Sequence, residues 1–159
     1  MPDSTAPFDE GQVSYAIFEL ARAHRGYAAA LLRRMDLHPG QELILMHLHH
    51  RDGQTQSELV ASVGVDHSTM SKALRRMQES GLIVRTPDKD DRRVSINSLT
   101  AKGEAMRAPI AAMWRELEDV TTQNLTPEQT NTLLAAARTI IDSINTRPPT
   151  VGPPESENT

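Results

Sequence analysis

The chain has 159 residues, 38% of them apolar and only 3% aromatic, with no cysteine and a net charge of −4. That length suits one domain with an extension, and the core must be aliphatic, built from Leu, Ile, Val, Ala and Met. Disulfides, thiolate metal sites and thiol redox sensing are excluded, and no run approaches the roughly 18 apolar residues of a membrane span.

Residues 1–10 are polar and contain proline, which predicts disorder. They lack the basic stretch and apolar run of a secretory leader, so the expected location is cytoplasmic. A long helix is predicted over 13–35, with Ile17, Leu20, Ala21, Ala28, Leu31, Leu32 and Met35 as its apolar stripe and Gly26 as a weak point. Asp36 to Gly40 is a turn. A second helix follows over 41–50, burying Leu43, Ile44, Met46 or His47, and Leu48.

Thr55-Gln56-Ser57-Glu58 is a T-x-x-E capping box opening a short helix with Leu59, Val60 and Val63 inside. Gly64-Val65 is a tight turn into a third pattern. There Asp66 can accept hydrogen bonds from the first free N–H groups. Met70, Ala73, Leu74 and Met77 follow at the spacing of one buried helix face. The opposite face carries His67, Ser68, Thr69, Ser71, Lys72, Arg75 and Arg76, the groups that bond phosphates and base edges. Gly81 ends the helix at C′. Leu82 to Val84 read as a strand, PDKDDRR as a polar turn and VSINSL as a returning strand, with a third short strand expected near Gln54. Helix, glycine turn, helix and basic hairpin make a winged helix-turn-helix in a mainly α fold.

Thr100 caps a further helix predicted over 101–124, in which Pro109 should force a kink or a break. Thr126-Pro127-Glu128-Gln129 starts a last helix reaching about residue 145, with Leu133, Leu134, Ala137, Ile140, Ile141 and Ile144 on one side. Residues 147–159 are Pro-rich and polar, a floppy tail. The expected organisation is a disordered start (1–10), a dimerisation helix (11–36), the winged domain (37–100), C-terminal dimerisation helices (101–146) and the tail. The apolar stripes at both ends exceed what a small winged domain can cover, so burial against a second copy is expected.

The negative net charge is misleading. Residues 66–93 hold seven Lys/Arg and five Asp/Glu, a local net of +2, leaving ten basic and sixteen acidic residues elsewhere, a net of −6. Phosphate binding depends on local cations, and here they gather on the reading surface.

Residues 55–103 resemble the DNA-binding core of the MarR family of bacterial transcriptional regulators. The likeness rests on SELVASVGVDHSTMSKALRRMQESGLI, on R-x-x-D-x-x-D-R-R as Arg85, Asp88, Asp91, Arg92 and Arg93, and on Leu99-Thr100-x-x-Gly103, in order and at family spacing. The resemblance implies a two-fold homodimer held by the terminal helices, most often a repressor. It also implies an Asp-x-Arg wing in which Arg93 enters the minor groove while Asp91 orients it. Double-stranded DNA is the expected partner. Ser68, Thr69, Ser71 and Lys72 sit deepest, because N-terminal residues of such helices meet base edges. Arg75, Arg76, Lys89 and Arg92 grip phosphate, with Thr55, Gln56 and His67 beside them. The plainer alternatives are a solvated helix face, a salt bridge from Arg75 or Arg76 to Glu79 or to wing aspartates, and a simple solvated turn in place of the wing contacts.

Many relatives bind small aromatic or phenolic effectors between the dimer helices and the winged domain. Tyr27, Leu31, Met46 and His50 are the candidate lining here, or else core and dimer contacts. His47 and His50, three apart on one helix, are the candidates for a zinc-responsive alternative, although structural histidines are commoner. No cofactor is expected. No enzyme motif is present: G-x-S-x-G, the P-loop and H-E-x-x-H are all missing from the sequence. A protein-interaction module using a winged helix without DNA is the rival class, and the basic wing argues against it.

Overall fold

The computed structural model describes residues 10–147. The expected disorder of residues 1–9 and of the tail from 148 lies outside that range. The elements run α1 (Gln12–Arg33), α2 (Gln41–His50), β1 (Gln54–Thr55), α3 (Gln56–Val63), α4 (His67–Glu79), β2 (Ile83–Pro87), β3 (Ser95–Leu99), α5 (Ala101–Ala105), α6 (Arg107–Thr122) and α7 (Pro127–Thr146). The chain divides into two compact units, one ending at Glu118 and the other beginning at Asp119. Among the described residues no helix is long and apolar enough to cross a membrane.

The first unit is a helical fold around a three-stranded antiparallel sheet of order β1-β3-β2. β3 is central, pairing Asn97 with Gln54 on one side and with Arg85 on the other. The core is aliphatic as expected: Leu32, Ile44, Leu45, Leu48, Leu59, Met70, Leu74, Met77, Ile83 and Ile110 are sealed from solvent. Polar side chains fix the sheet to its neighbours. The Asn97 amide donates to the Gln54 carbonyl (2.9 Å), and the Gln54 amide donates to the His47 and Arg51 carbonyls at the end of α2 (2.9 and 2.6 Å).

The local signals act as chemistry requires. Thr55 and Glu58 form the reciprocal capping box of α3, and Thr126 and Gln129 that of α7. Gly81, at φ +75°, ends α4 in the left-handed conformation that a side chain would resist. The Leu99-Thr100-x-x-Gly103 signature is a packing device. The Thr100 hydroxyl caps α5 by accepting from the Gly103 N–H (3.0 Å), and it donates to the Gly81 carbonyl (2.6 Å). A Cβ at Gly103 would collide with the Leu82 carbonyl, so only glycine lets α5 lie against the start of β2.

The helix predicted over 101–124 is divided at Met106, the break expected from Pro109, which cannot donate to the residue 105 carbonyl. One expectation changes in α2. The buried face of α2 is turned by about one residue: Leu45 is sealed, Leu43 is half-buried and Met46 is exposed. Gln41 and Glu42 are buried instead. They close the turn before α2, the Gln41 amide oxygen accepting from the His38 N–H (3.0 Å) and the Glu42 carboxylate from the Gly40 N–H (2.8 Å). Burial pushes the Glu42 carboxyl above its ordinary value, against the opposing pull of the N–H groups of Glu42 and Gly40. In α1 only Leu31 and Leu32 are buried, while Val13, Ile17, Phe18 and Leu20 are exposed. In the second unit α7 has no buried residue at all, and Leu133, Leu134, Ile141 and Ile144 are exposed.

Candidate nucleic-acid interface

The reading surface is built on α4. Met70, Leu74 and Met77 lock one face of this helix into the core with no exposed surface, which fixes the direction of the other. Its start is held by Asp66, whose Oδ1 accepts from the Thr69 N–H (2.8 Å) and whose Oδ2 accepts from the Thr69 hydroxyl (2.7 Å). The Thr69 N–H, then its hydroxyl, holds the Asp66 carboxyl below the usual range. Thr69 is therefore partly committed to the cap. His67, Ser68, Ser71, Lys72 and Arg76 are exposed beside it. Arg75 takes the plainer expectation, its Nε pairing with Glu79 one turn on (3.1 Å).

The first turn of α3 supports this helix. Gln56 donates through its amide to the His67 carbonyl (3.3 Å) and so ties the two helix starts together. The Thr55 hydroxyl accepts from the Glu58 N–H (3.2 Å), and the Glu58 carboxylate accepts from the Thr55 N–H (2.8 Å) and from Arg51 (2.9 Å). The Thr55 N–H, followed by Arg51, keeps the Glu58 carboxyl low.

The wing tip is shaped by aspartates acting on the main chain. Asp88 Oδ1 accepts from the N–H groups of Asp90 (2.7 Å) and Asp91 (3.0 Å), which hold its carboxyl low, the Asp91 N–H foremost. The Asp88 N–H donates to the Val94 carbonyl (2.8 Å) and the Val94 N–H to the Asp91 carbonyl (2.9 Å), closing the loop. Asp91 Oδ1 accepts from the backbone N–H of Arg93 (3.0 Å). The expected Asp91 partner was the Arg93 guanidinium; the recorded contact is to its main chain. Asp91 shapes the loop that carries Arg93, and Lys89, Arg92 and Arg93 stand exposed on it.

Two hollows of the first unit adjoin the candidate site residues. One, of about 210 Å³, sits at the wing root between the first turn of α3, Arg85 of β2, and Arg93 to Ser95. The other, of about 530 Å³, is lined by Met46, His49 and His50 of α2 and by Arg107, Ile110 and Trp114 of α6. Of the four candidate effector contacts, Met46 and His50 line this cavity. Leu31 is in the core instead, and Tyr27 leans on Glu116, its hydroxyl donating at 3.5 Å. Sequence reasoning missed the α6 wall, although Arg107, Ile110, Ala111 and Trp114 fall at the spacing of one helix face. His47 is half-buried and His50 exposed, and among the described residues no three His, Cys, Asp or Glu side chains gather as a metal site.

Residues 37–95 match the model of the MarR family, the stretch from the turn before α2 to the start of β3. Over that stretch the winged core is similar to the MarR family. The chain is similar over 139 residues, 26% identical, to the HTH-type transcriptional regulator TtmR of Methylorubrum extorquens, covering 87% of this chain and 70% of that one. It is 28% identical over 89 residues, 56% of each protein, to the HTH-type transcriptional repressor NicR of Pseudomonas putida. Its fold superimposes on a mutant MarR from E. coli complexed with operator DNA, with a TM-score of 0.78 and 22% identity over 86% of this chain and 99% of that one. Over residues 37–95 the chain thus resembles the MarR family, and its fold is that of a winged-helix MarR structure.

Proposed function

We propose that this MarR-type protein binds double-stranded DNA as a homodimer, reading a pseudo-palindromic operator with α4 and the wing, and that it acts as a repressor. One observation carries the reading. The apolar face of α4 is sealed, so its polar face, with Ser68, Ser71 and Lys72, is presented to solvent beside a wing whose Lys89, Arg92 and Arg93 are also exposed. Ser68, Thr69, Ser71 and Lys72 meet base edges; Arg76, Lys89 and Arg92 meet phosphates; Arg93 reaches the minor groove, where a narrow groove concentrates negative potential. The exposed apolar faces of α1 and α7 are the surfaces a second copy would cover, and two-fold symmetry then sets half-sites about one helical turn apart, roughly 34 Å.

The effector reading rests on the larger hollow. Trp114, Met46 and Ile110 offer an apolar wall, and Arg107 and His50 offer partners for a carboxylate or phenolate, which suits a small aromatic acid or phenol. Arg107 now bonds Glu104 (2.8 Å) and the His49 carbonyl (3.1 Å), tying the start of α6 to the end of α2. A ligand carboxylate competing for Arg107 would loosen that tie and favour a dimer whose recognition helices no longer match the groove spacing.

Selection of bound fragments from a genomic library, followed by titration at several salt concentrations, tests the DNA reading. The expected result is a preferred inverted repeat and an affinity that falls steeply with salt. A chain that stays monomeric at micromolar concentration in the ultracentrifuge, or that binds every duplex alike, overturns it. A thermal-shift screen of aromatic acids and phenols, with operator release as the second readout, tests the effector reading.

A further inference from the structure

We propose that the hollow at the wing root is a phosphate seat, with the Arg85 guanidinium as its floor and Arg93 at its rim. The ligand chemistry is a phosphoryl oxyanion, and the source favoured here is one backbone phosphate of the bound duplex. This deepens the DNA-binding reading above and rests on it for the source, though not for the seat itself.

Arg85 lies on β2 opposite Asn97 of the central strand, so the sheet fixes where its side chain begins. Its Nε–H is shut off from solvent and has no hydrogen-bond partner. None of the ion pairs among the described residues includes Arg85 or Arg93. Three nearby carboxylates are already engaged: Glu58 by Thr55 and Arg51, Asp88 and Asp91 by N–H groups of the wing. A shielded donor left unpaired is costly in a folded protein, and a planar guanidinium answers best to an oxyanion that takes two of its N–H groups at once. Arg85 lines the hollow of about 210 Å³ together with Arg93, Ser57 and Ser95. The α3 capping box uses the Glu58 N–H, leaving those of Gln56 and Ser57 without partners inside the helix; they add donors to a site the two arginines define. Its walls come from the first turn of α3 and the wing, both of which belong to the proposed reading surface. That position favours a duplex phosphate over a free anion.

The contact would position the wing and carry no base information. Arg85→Gln and Arg85→Lys test it, with the melting temperature as the check on folding. In titrations with the selected operator and with an unrelated duplex, Arg85→Gln should weaken both by a similar factor and lower the salt slope by about 1. Arg85→Lys should recover only part of the loss. In the wild-type protein, the Arg85 Nε–Hε resonance should shift on adding inorganic phosphate and on adding duplex. Unchanged affinity and slope for Arg85→Gln, with the resonance shifted by phosphate alone, would overturn the duplex as source and leave a free-anion seat. A resonance moved by neither would overturn the seat. A loss confined to the operator would mean that Arg85 reads bases, which also overturns the proposal. If the wild type binds no duplex, the DNA reading falls separately, and the phosphate titration still decides the seat.

Discussion

The helices α4 and α7 share an amphipathic pattern and meet opposite fates. α4 has thirteen residues and α7 twenty, each opened by an N-cap whose side chain accepts a backbone N–H. Met70, Leu74 and Met77 of α4 have no exposed surface, whereas Leu134 and Ile144 of α7 remain about half and two-thirds exposed (51% and 66%). A repeating apolar face says that something should cover it; the period does not say whether the cover comes from the same chain. For α4 the cover is the core of its own unit, so its polar face is free for a ligand. For α7 the apolar face itself is the free surface, and a second copy is its proposed cover.

The largest effect should come from cutting each face at one leucine. Leu74→Ala leaves a cavity in a sealed core and should cost about 2–5 kcal/mol at any protein concentration. Leu134→Ala should hardly move the stability of dilute protein while raising the dimer dissociation constant. Denaturant melts at two concentrations, with ultracentrifugation, separate the cases. A concentration-independent loss for Leu134→Ala would mean that α7 is already covered within one chain.

On the polar side of α4, alanine at Ser68, Ser71 or Lys72 should cost on the order of 1–3 kcal/mol of operator affinity and relax selectivity where the residue reads a base. Thr69→Ala should also lower stability, because its hydroxyl supports the Asp66 cap. Arg75→Ala should be mild, since Arg75 already pairs with Glu79. Retained selectivity in every one of these variants would mean that α4 is only a solvated face.

In the wing, Arg93→Ala should weaken binding strongly, Arg93→Lys should recover part of it, and Arg92→Ala should chiefly lower the salt slope. Asp91 sharpens the test. Because its carboxylate accepts the Arg93 N–H, Asp91→Asn can keep the loop and should bind at least as tightly as wild type, with one negative charge fewer. Asp91→Ala removes the acceptor and should bind more weakly. Simple charge counting predicts tighter binding for both, so a tighter Asp91→Ala in operator titrations would show that the loop needs no such hold.

What was legible in the sequence follows the same division between local and distant causes. Caps and stops are written within four residues of one another, so Thr55 with Glu58, Asp66, Gly81 and Thr126 with Gln129 could be placed without any tertiary information. The three-part motif fixed the order of the winged core for the same reason. The buried face of α2 was misplaced because Leu43, Ile44, Leu45, Met46 and Leu48 are all apolar but for the interrupting His47, and only packing chooses among them. The α6 wall of the larger hollow was overlooked although its spacing was readable, because nothing in a period tells a cavity from a core. The motif shows Arg85 without its role, since the unpaired Nε depends on the register of β2 with β3.

The smallest expected effect compares the two helix starts in acid. At α4 the acceptor for the third N–H is the Asp66 carboxylate; at α7 it is the Thr126 hydroxyl, with the Gln129 amide returning the bond to the Thr126 N–H (2.9 Å). The Asp66 carboxyl is held low chiefly by the Thr69 N–H, so the folded state favours its charged form. A depressed carboxyl contributes its stability above the ordinary Asp value of about 3.9 and loses it as pH falls through the lower, folded value. The Thr69 backbone N–H should therefore lose hydrogen-exchange protection as pH falls below the ordinary Asp value of about 3.9, while the Gln129 backbone N–H keeps more of its own. Glu128 adds a lesser acid-sensitive share at α7, because its own N–H and the Thr126 hydroxyl also hold its carboxyl low. Asp66→Asn retains a capping acceptor that does not titrate, so it should flatten the acid response of the Thr69 amide without unmaking the helix start. Protection factors for the two N–H groups, measured by NMR over that fall in pH in wild type and Asp66→Asn, decide the matter. Equal losses at Thr69 and Gln129 would mean that both helices fray through global unfolding and that the carboxylate cap gives α4 no local acid sensitivity.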